Sequence, residues 1–175
     1  MKKNLLVVVF AFLIAGGLFA QDMKVLSLPK YYASCIFNFS RYVNWPADSK
    51  SGDFNIAVVG DKKVFEELQT LATGKSVGSQ AMNVKYYKSV DELADFNHIV
   101  YLADWTCGNI SKLTSKIGSK STLVVCEREG MVKSGAAFDF VNVDGLMKFE
   151  MAKNTIEKSG LQVSSSLERM AYRSN

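Results

Sequence analysis

Apolar strands alternate with amphipathic helices through the middle of this 175-residue chain, and this alternation restricts the fold more than any other sequence feature. Apolar or alternating segments predict strands at 54–60, 81–87, 98–103 and 121–127. Apolar residues spaced by three and four predict helices between them, at 61–73, 89–96 and 106–117. Apolar strands joined by helices form parallel sheets that are buried on both faces. The pattern therefore predicts an α/β fold with a mostly parallel central sheet flanked by helices on both faces.

The pattern changes toward the C-terminus, where two neighbouring segments indicate antiparallel strands. Segments 136–143 and 146–151 are separated only by Asp144-Gly145, a pair that suits a two-residue hairpin turn. A helix at 152–158 follows them. The sequence thus predicts a C-terminal β-hairpin appended to the parallel sheet.

Two pairs of residues match the capping box, in which Ser or Thr is followed three residues later by Glu or Gln. Ser89 and Glu92 predict the start of the helix at 89–96, and Ser165 with Glu168 predicts a short terminal helix.

The segment FNFSRYVNWP, residues 37–46, is unusually aromatic. It ends a predicted helix at 27–45, in which Pro29 is tolerated in the first turn and Pro46 stops the helix. One face of this helix is apolar, formed by Tyr32, Cys35, Ile36, Phe39, Tyr42 and Val43. We interpret this face first as core, and second as the surface of a homodimer or of a partner complex.

The N-terminus has the pattern of a secretory signal peptide. Lys2 and Lys3 precede an uncharged run at 5–20, which at 16 residues is shorter than the ~20 needed to span a bilayer. We expect cleavage after Ala20, giving a signal peptide at 1–20 and one domain at 21–175; a retained anchor is the alternative. The mature domain would carry 21 − 2 = 19 basic and 17 acidic residues, a balance that argues against nucleic acid as a partner.

The sequence offers few groups for catalysis. It has neither a glycine-rich phosphate loop nor a cluster of metal ligands, and its one histidine, His98, opens a predicted strand. A serine or cysteine nucleophile would therefore lack its usual base. We expect no catalytic residue, no metal and no cofactor.

The segment CEREG, 126–130, lies at the predicted carboxyl end of a parallel strand, where α/β proteins bind ligands. Glu127 and Glu129 could form an acid–base pair, with Arg128 holding an anion. A solvated loop is the simpler interpretation, because no second catalytic element accompanies these residues. The three residues remain a candidate edge for a ligand or a partner.

Three cysteines in an exported chain allow at most one internal disulfide. Cys107 follows the strand at 98–103, and Cys126 ends the strand at 121–127. If these parallel strands are neighbours, their carboxyl ends share one edge of the sheet. We therefore predict a Cys107–Cys126 disulfide and expect Cys35 to remain a buried thiol.

Several segments in order resemble the YfiR-like family. The aromatic helix ending in Trp-Pro at 34–46, the strands FNIAVVGD and HIVYLAD, and the closing MKFEMAKNTIEKSGLQVSSSLERMA all resemble that family's pattern. The residues that carry the two terminal motifs are Asn38, Tyr42, Trp45, Pro46, Phe149 and Glu150. Asn97 stands where members often have a cysteine, so the disulfide pattern of the characterised type is not transferred.

The resemblance implies a bacterial periplasmic α/β protein without catalytic activity. It implies a redox-sensitive repressor that binds the periplasmic part of an inner-membrane diguanylate cyclase or another sensor, lowering cyclic di-GMP and biofilm formation. The first hypothesis is therefore an exported regulator of a membrane signalling protein. The alternative is a periplasmic small-ligand binding protein or minor enzyme that uses the strand end near Glu127.

Overall fold

The computed structural model describes residues 27–174, and the predicted signal peptide lies outside this range. Within it the helices are α1 (Leu28–Tyr42), α2 (Lys62–Ala72), α3 (Ile110–Ile117), α4 (Lys153–Lys158) and α5 (Ser165–Met170). The strands are β1 (Val43–Asn44), β2 (Phe54–Val59), β3 (Ser76–Val77), β4 (Gln80–Tyr87), β5 (Ile99–Leu102), β6 (Leu123–Cys126), β7 (Phe138–Val143), β8 (Leu146–Met151), β9 (Gln162–Val163) and β10 (Arg173–Ser174). No helix in residues 27–174 is long and apolar enough to cross a bilayer.

The central sheet has eight strands in the order β10–β8–β7–β6–β5–β2–β4–β3. The five strands from β4 to β7 in this order are mutually parallel, as predicted. β7 and β8 form the predicted antiparallel hairpin, with both Asp144 and Gly145 at positive φ in its turn. A separate pair of short strands, β1 and β9, runs antiparallel.

Helices cover both faces of the sheet, which confirms the predicted α/β class. The larger core joins sheet residues such as Ile56 and Tyr101 to apolar residues of α1, α2, α4 and α5. The smaller core packs Leu102 and Cys126 against Ile110 and Leu113 of α3. Because all four residues in each of β5 and β6 are buried, these strands read as continuous apolar runs in the sequence.

The first helix is shorter than the predicted 27–45. α1 ends at Tyr42, and Val43 turns into extended backbone, with φ −100° and ψ 139°. The chain then continues as β1, and Ser164 N–H donates a hydrogen bond of 2.9 Å to the Tyr42 carbonyl. Pairing with β9 therefore ends the helix before Pro46 does.

Both capping-box predictions are wrong in detail. The predicted helix at 89–96 is only a short 3-10 helix, Val90–Glu92, and Ser89 makes no side-chain cap. The Glu92 carboxylate instead accepts a hydrogen bond of 2.9 Å from Lys88 N–H. At the C-terminus the cap is Ser164 rather than Ser165, because its hydroxyl accepts the Leu167 N–H at 3.3 Å.

The helix predicted at 106–117 is also divided. A 3-10 helix, Asp104–Asn109, precedes α3 and carries the chain from the end of β5 across the sheet edge. Thr106 stabilises this first part, because its hydroxyl donates to the Ala103 carbonyl at 2.8 Å. The tighter 3-10 turn places Asp104 and Trp105 at the edge itself.

His98 is a buried structural residue. It directly precedes β5 and so lies at the amino end of the parallel strands. Its Nε2 lies 2.7 Å from the Ser49 carbonyl oxygen, and its Nδ1 accepts the Asn55 N–H at 3.1 Å. These contacts assign the neutral ring with the proton on Nε2. The ring also stacks on Phe54, with 4.3 Å between centroids. The histidine thus holds the loop that connects β1 to β2.

We expect Phe39→Ala to destabilise the protein by about 3–5 kcal/mol, because it removes a fully buried ring and leaves a cavity. The Phe39 ring stacks on Phe138 at 4.1 Å and meets Phe149 edge-on at 5.2 Å. Urea unfolding measures the change, with Leu28→Ala, at a half-exposed position, as the control. Unchanged stability with lost partner binding would instead make this face of α1 an interface.

We expect the stability of the protein to fall as the pH drops below the ordinary histidine value of 6.5. Burial lowers the pKa of His98, so its contribution is present above that pH and is lost on acidification as the unfolded chain takes up the proton. Unfolding free energies at about pH 7.5 and about pH 5.5 should differ more in the wild type than in His98→Gln. Parallel pH profiles for the two proteins would contradict this role.

Candidate functional site: the carboxyl edge of the parallel sheet

The direction in which successive strands are added to the sheet reverses between β2 and β5. From β2 the chain crosses to β4 on one side, and β5, β6 and β7 are then added in turn on the other side. In open α/β sheets the carboxyl ends of the strands at such a switch point border a crevice, and ligands bind there. Here the residues that leave the two strands are Gly60 after β2 and Ala103 to Trp105 after β5.

Trp105 stands over this switch point. Its side chain is 64% exposed, yet Nε1 donates a hydrogen bond of 3.3 Å to the Gly60 carbonyl oxygen. The indole packs so closely on Gly60 that a Cβ there would lie 2.9 Å from Trp105 Cζ2. Gly60 also has φ +90°, where other residues are strained. These contacts hold the exposed indole ring of Trp105 in one position.

The three predicted edge residues, Glu127, Arg128 and Glu129, directly follow β6. Glu127 Oε2 accepts hydrogen bonds from Tyr101 Oη at 2.9 Å and from Asp104 N–H at 3.0 Å. Arg128 Nε lies 2.9 Å from Asp104 Oδ1, and Arg128 NH2 donates to the Asp104 carbonyl at 2.7 Å. Glu129 is exposed. Glu127 and Arg128 therefore tie the ends of β5 and β6 together.

The carboxylates at this edge create a negative field that reaches two buried tyrosines. Burial raises the pKa of Tyr32 to about 12, and Glu127, Asp104 and Asp61 add to the effect. The pKa of Tyr101 is raised in the same direction, by burial and then by Glu127. Both hydroxyls therefore stay protonated, and that of Tyr101 donates to Glu127.

Cys107 and Cys126 lie side by side beneath the edge, as the strand order predicted. Both are fully buried, and all three cysteines of the chain are thiols in the structure. A hydrogen bond from Cys126 lowers the pKa of Cys107, and the same contact, together with burial, raises the pKa of Cys126. Their disulfide stays a prediction. Cys35 is only partly buried, and burial raises its pKa to about 11.

A row of polar side chains continues from this thiol pair across the sheet. Cys126 pairs in register with Asp139, and Asp139 with Glu150. Burial and the neighbouring Glu150 raise the pKa of Asp139 to about 6. Glu150 Oε1 lies 3.0 Å from Arg173 NH1 in an ion pair that anchors the last strand, β10. The family-motif residue Glu150 therefore holds the C-terminal end of the chain.

The structure brings the other terminal-motif residues together. Trp45 is buried and donates from Nε1 to the Ser121 carbonyl at 3.0 Å, whereas Tyr42 is exposed. Phe149 meets Phe39 in the core, and β1 pairs with β9 of the Gly-Leu segment. Asn38 and Pro46 are partly buried. The two motifs thus form one structural unit.

A cleft of about 580 Å³ opens between this unit and the β3–β4 turn. Trp45, Phe54 and Val77 form its apolar part. Arg41 and Lys50 supply positive charge, and Lys50 Nζ lies 3.1 Å from Asn44 Oδ1. The cleft is large enough for a small ligand.

Sequence reasoning missed Trp105 and this cleft. Trp105 directly follows the strand at 98–103, so its place after a buried parallel strand was a usable signal. The cleft had no such signal, since its walls come from separate parts of the chain that meet only through the β1–β9 pairing.

The fold and this edge define a small open-sheet α/β domain with a preformed edge at the switch point. The chain belongs to the YfiR/HmsC-like family (DUF4154), whose model matches residues 29–172. Membership confirms the resemblance seen in the sequence and suggests a periplasmic regulator of cyclic di-GMP signalling. A comparison with curated proteins found no match.

Two solved structures share the fold. One is a conserved domain protein from Vibrio cholerae O1 biovar eltor, with a TM-score of 0.54 and 12% identity over 85% of this chain and 60% of the other. The second is an ABC domain in complex with L-Trp from Streptococcus pneumoniae, with a TM-score of 0.51 and 13% identity over 69% and 55% of the two chains. This chain therefore spans little more than half of either structure, and the likeness concerns the fold alone.

We expect one free thiol per chain when the exported protein is denatured without reductant and its thiols are counted. The pair Cys107 and Cys126 would be oxidised, which closes a loop and adds roughly 3 kcal/mol of stability in the chain-entropy model. A Cys35→Ala control should then show no free thiol. Three thiols in the wild type and two in the control would rule the bridge out.

Proposed function

We propose that this protein is an exported, non-enzymatic regulator that binds the periplasmic segment of an inner-membrane signalling protein and represses it. The partner would be a cyclic di-GMP cyclase or a sensor kinase. Family membership is the observation that carries this proposal, because it covers residues 29–172 of the chain.

The mechanism that we propose is a population shift. A protein that binds the inactive state of a sensor more tightly than the active state moves the sensor toward inactivity. A shift from 1% to 99% inactive requires about a 10⁴-fold difference in affinity between the two states. Such a difference demands a rigid binding surface, since ordering a loose one would consume binding free energy.

Among the sites predicted from the sequence, the carboxyl edge of the sheet is the best suited to binding a partner. Trp105 is exposed and already fixed, and exposed tryptophans in fixed positions are frequent energetic centres of protein interfaces. The hydrogen bonds of Glu127 and Arg128 hold the two neighbouring loops. We place the partner-binding surface here.

Redox state would act on the same edge. Cys107 and Cys126 lie directly under the loops that carry Asp104 and Glu127. A disulfide between them would add a covalent link beneath loops that hydrogen bonds already hold, and reduction would remove that link. The predicted bridge thus provides a route by which an oxidising or reducing periplasm alters partner binding.

A second candidate function, the binding of a small ligand, is favoured by the cleft beside Trp45 rather than by the strand end near Glu127. Its volume of about 580 Å³ lies in the usual range of ligand sites. Arg41 and Lys50 give it a preference for anionic groups. Such a ligand would serve the regulator as a signal.

We expect deletion of the encoding gene to raise cellular cyclic di-GMP, and the full chain to restore the wild-type level. A version without residues 1–20 should fail to restore it, because it would not reach the periplasm. The recovered mature protein should begin near Gln21 on N-terminal sequencing. An unchanged cyclic di-GMP level after deletion would argue against a cyclase partner, and intact Met1 in membranes would restore the anchor hypothesis.

A further inference from the structure

We propose that the carboxyl edge around Trp105 binds a positively charged side chain, arginine or lysine, on an exposed segment of the partner protein. The inference rests on the proposed function and specifies the chemistry of its partner. It follows from the position of Trp105, the charges that surround it and the way in which those charges are already paired.

The indole of Trp105 presents a π face that is ready to bind. Among the large apolar side chains of residues 27–174, only Leu146 is more exposed than Trp105, which is 64% exposed. The Trp105 Nε1 is already hydrogen-bonded to the Gly60 carbonyl oxygen. A ring held in this way loses little further freedom on binding. Tryptophan is also the aromatic side chain that attracts cations most strongly.

Acidic residues are frequent in the loops at this edge of the sheet. The loops that follow β2, β5 and β6 at the switch point comprise residues 60–61, 103–105 and 127–129. They contain four carboxylates and one cation, Asp61, Asp104, Glu127, Glu129 and Arg128. The predicted mature domain, with 19 basic and 17 acidic residues, has a net charge of +2, so these loops are opposite in sign to the domain as a whole.

Arg128 offsets only one of these carboxylates, that of Asp104. Its Nε and NH2 are both occupied by Asp104, through Oδ1 at 2.9 Å and the carbonyl at 2.7 Å. Among the ion pairs of residues 27–174, none involves Glu129, Glu127 or Asp61. Asp61 Oδ1 caps α2 and Glu127 Oε2 accepts from Tyr101 and Asp104, so the exposed Glu129 is the carboxylate left to accept hydrogen bonds from a guanidinium or an ammonium group.

The two features select the same partner chemistry. A cation over the indole face gains a cation–π attraction, and the Glu129 carboxylate adds charge-assisted hydrogen bonds. A carboxylate or a phosphate would instead be repelled. The occupant that fits is a basic side chain on an extended segment, which brings the cation to the crevice between β2 and β5.

The first test uses peptides as probes and the full mature protein. Titration with N-acetyl-Gly-Arg-Gly-amide should shift the Trp105 indole NMR signal and the amide signals of Gly60 and Asp104. The citrulline peptide, which has the same shape without the charge, should bind about tenfold more weakly. Binding of the arginine peptide should weaken as the salt rises from about 0.05 to about 0.5 M. Equal shifts from the two peptides would overturn the proposal in favour of an uncharged apolar contact.

Variants test the two contributions separately through the amide signals. Trp105→Leu should lose most of the arginine affinity, and Trp105→Phe should retain part of it because an aromatic face remains. Glu129→Gln should weaken binding, whereas Glu157→Gln, which changes another exposed carboxylate, on α4, should not. Wild-type affinity in both Trp105→Leu and Glu129→Gln would refute the site.

A cellular measurement separates this inference from the proposed function. Trp105→Leu should fail to lower cyclic di-GMP in the deletion strain, and Leu146→Ala, an exposed apolar residue on the hairpin, should lower it normally. If the wild type lowers cyclic di-GMP and Trp105→Leu does so equally, the inference fails while the function stands. If the wild type has no effect but the peptide results hold, the proposed function fails while the cation site stands.

Discussion

The burial of one aromatic helix against the sheet holds this protein together. α1 precedes the sheet in the chain, yet Phe39 stacks on Phe138 of β7 and meets Phe149 of β8, near the far end of the sequence. Without α1, the apolar face that includes Tyr101 would be exposed to water at a cost that scales with its area. The same helix leads directly into β1, whose pairing with β9 joins the two ends of the domain.

This packing explains why the chemistry is found at the strand ends. Both faces of β5 and β6 are filled with apolar side chains, so polar groups are placed where the strands stop. At the switch point those groups form a connected set, in which Glu127 bonds Tyr101 and Asp104 while Arg128 bonds Asp104 again. The edge is consequently rigid, and a rigid edge with one exposed indole is suited to binding a partner.

Local sequence signals predicted the elements well and their ends less well. The strands, the Asp144-Gly145 turn and the aromatic helix follow from periodicity and turn chemistry, which act over a few residues. The capping box at Ser89 was wrong because the Glu92 carboxylate found another nearby donor, Lys88 N–H. The helix predicted to end at Trp45 was too long because the chain pairs with the distant strand β9 from Val43 onward, and Ser164, just after β9, bonds the Tyr42 carbonyl.

The sequence by itself determined the α/β class and the covered parallel strands, because alternation and the right-handed crossover rule leave little freedom. It predicted the proximity of Cys107 to Cys126 on the condition that β5 and β6 are neighbours, and the structure meets that condition. Only the tertiary structure decided that β1 pairs with β9, that Trp105 packs on Gly60, and that a cleft opens beside Trp45. These features join residues that are far apart in the chain. Their geometry depends on how distant segments of the chain pack against one another. Periodicity within one segment carries no information about that packing.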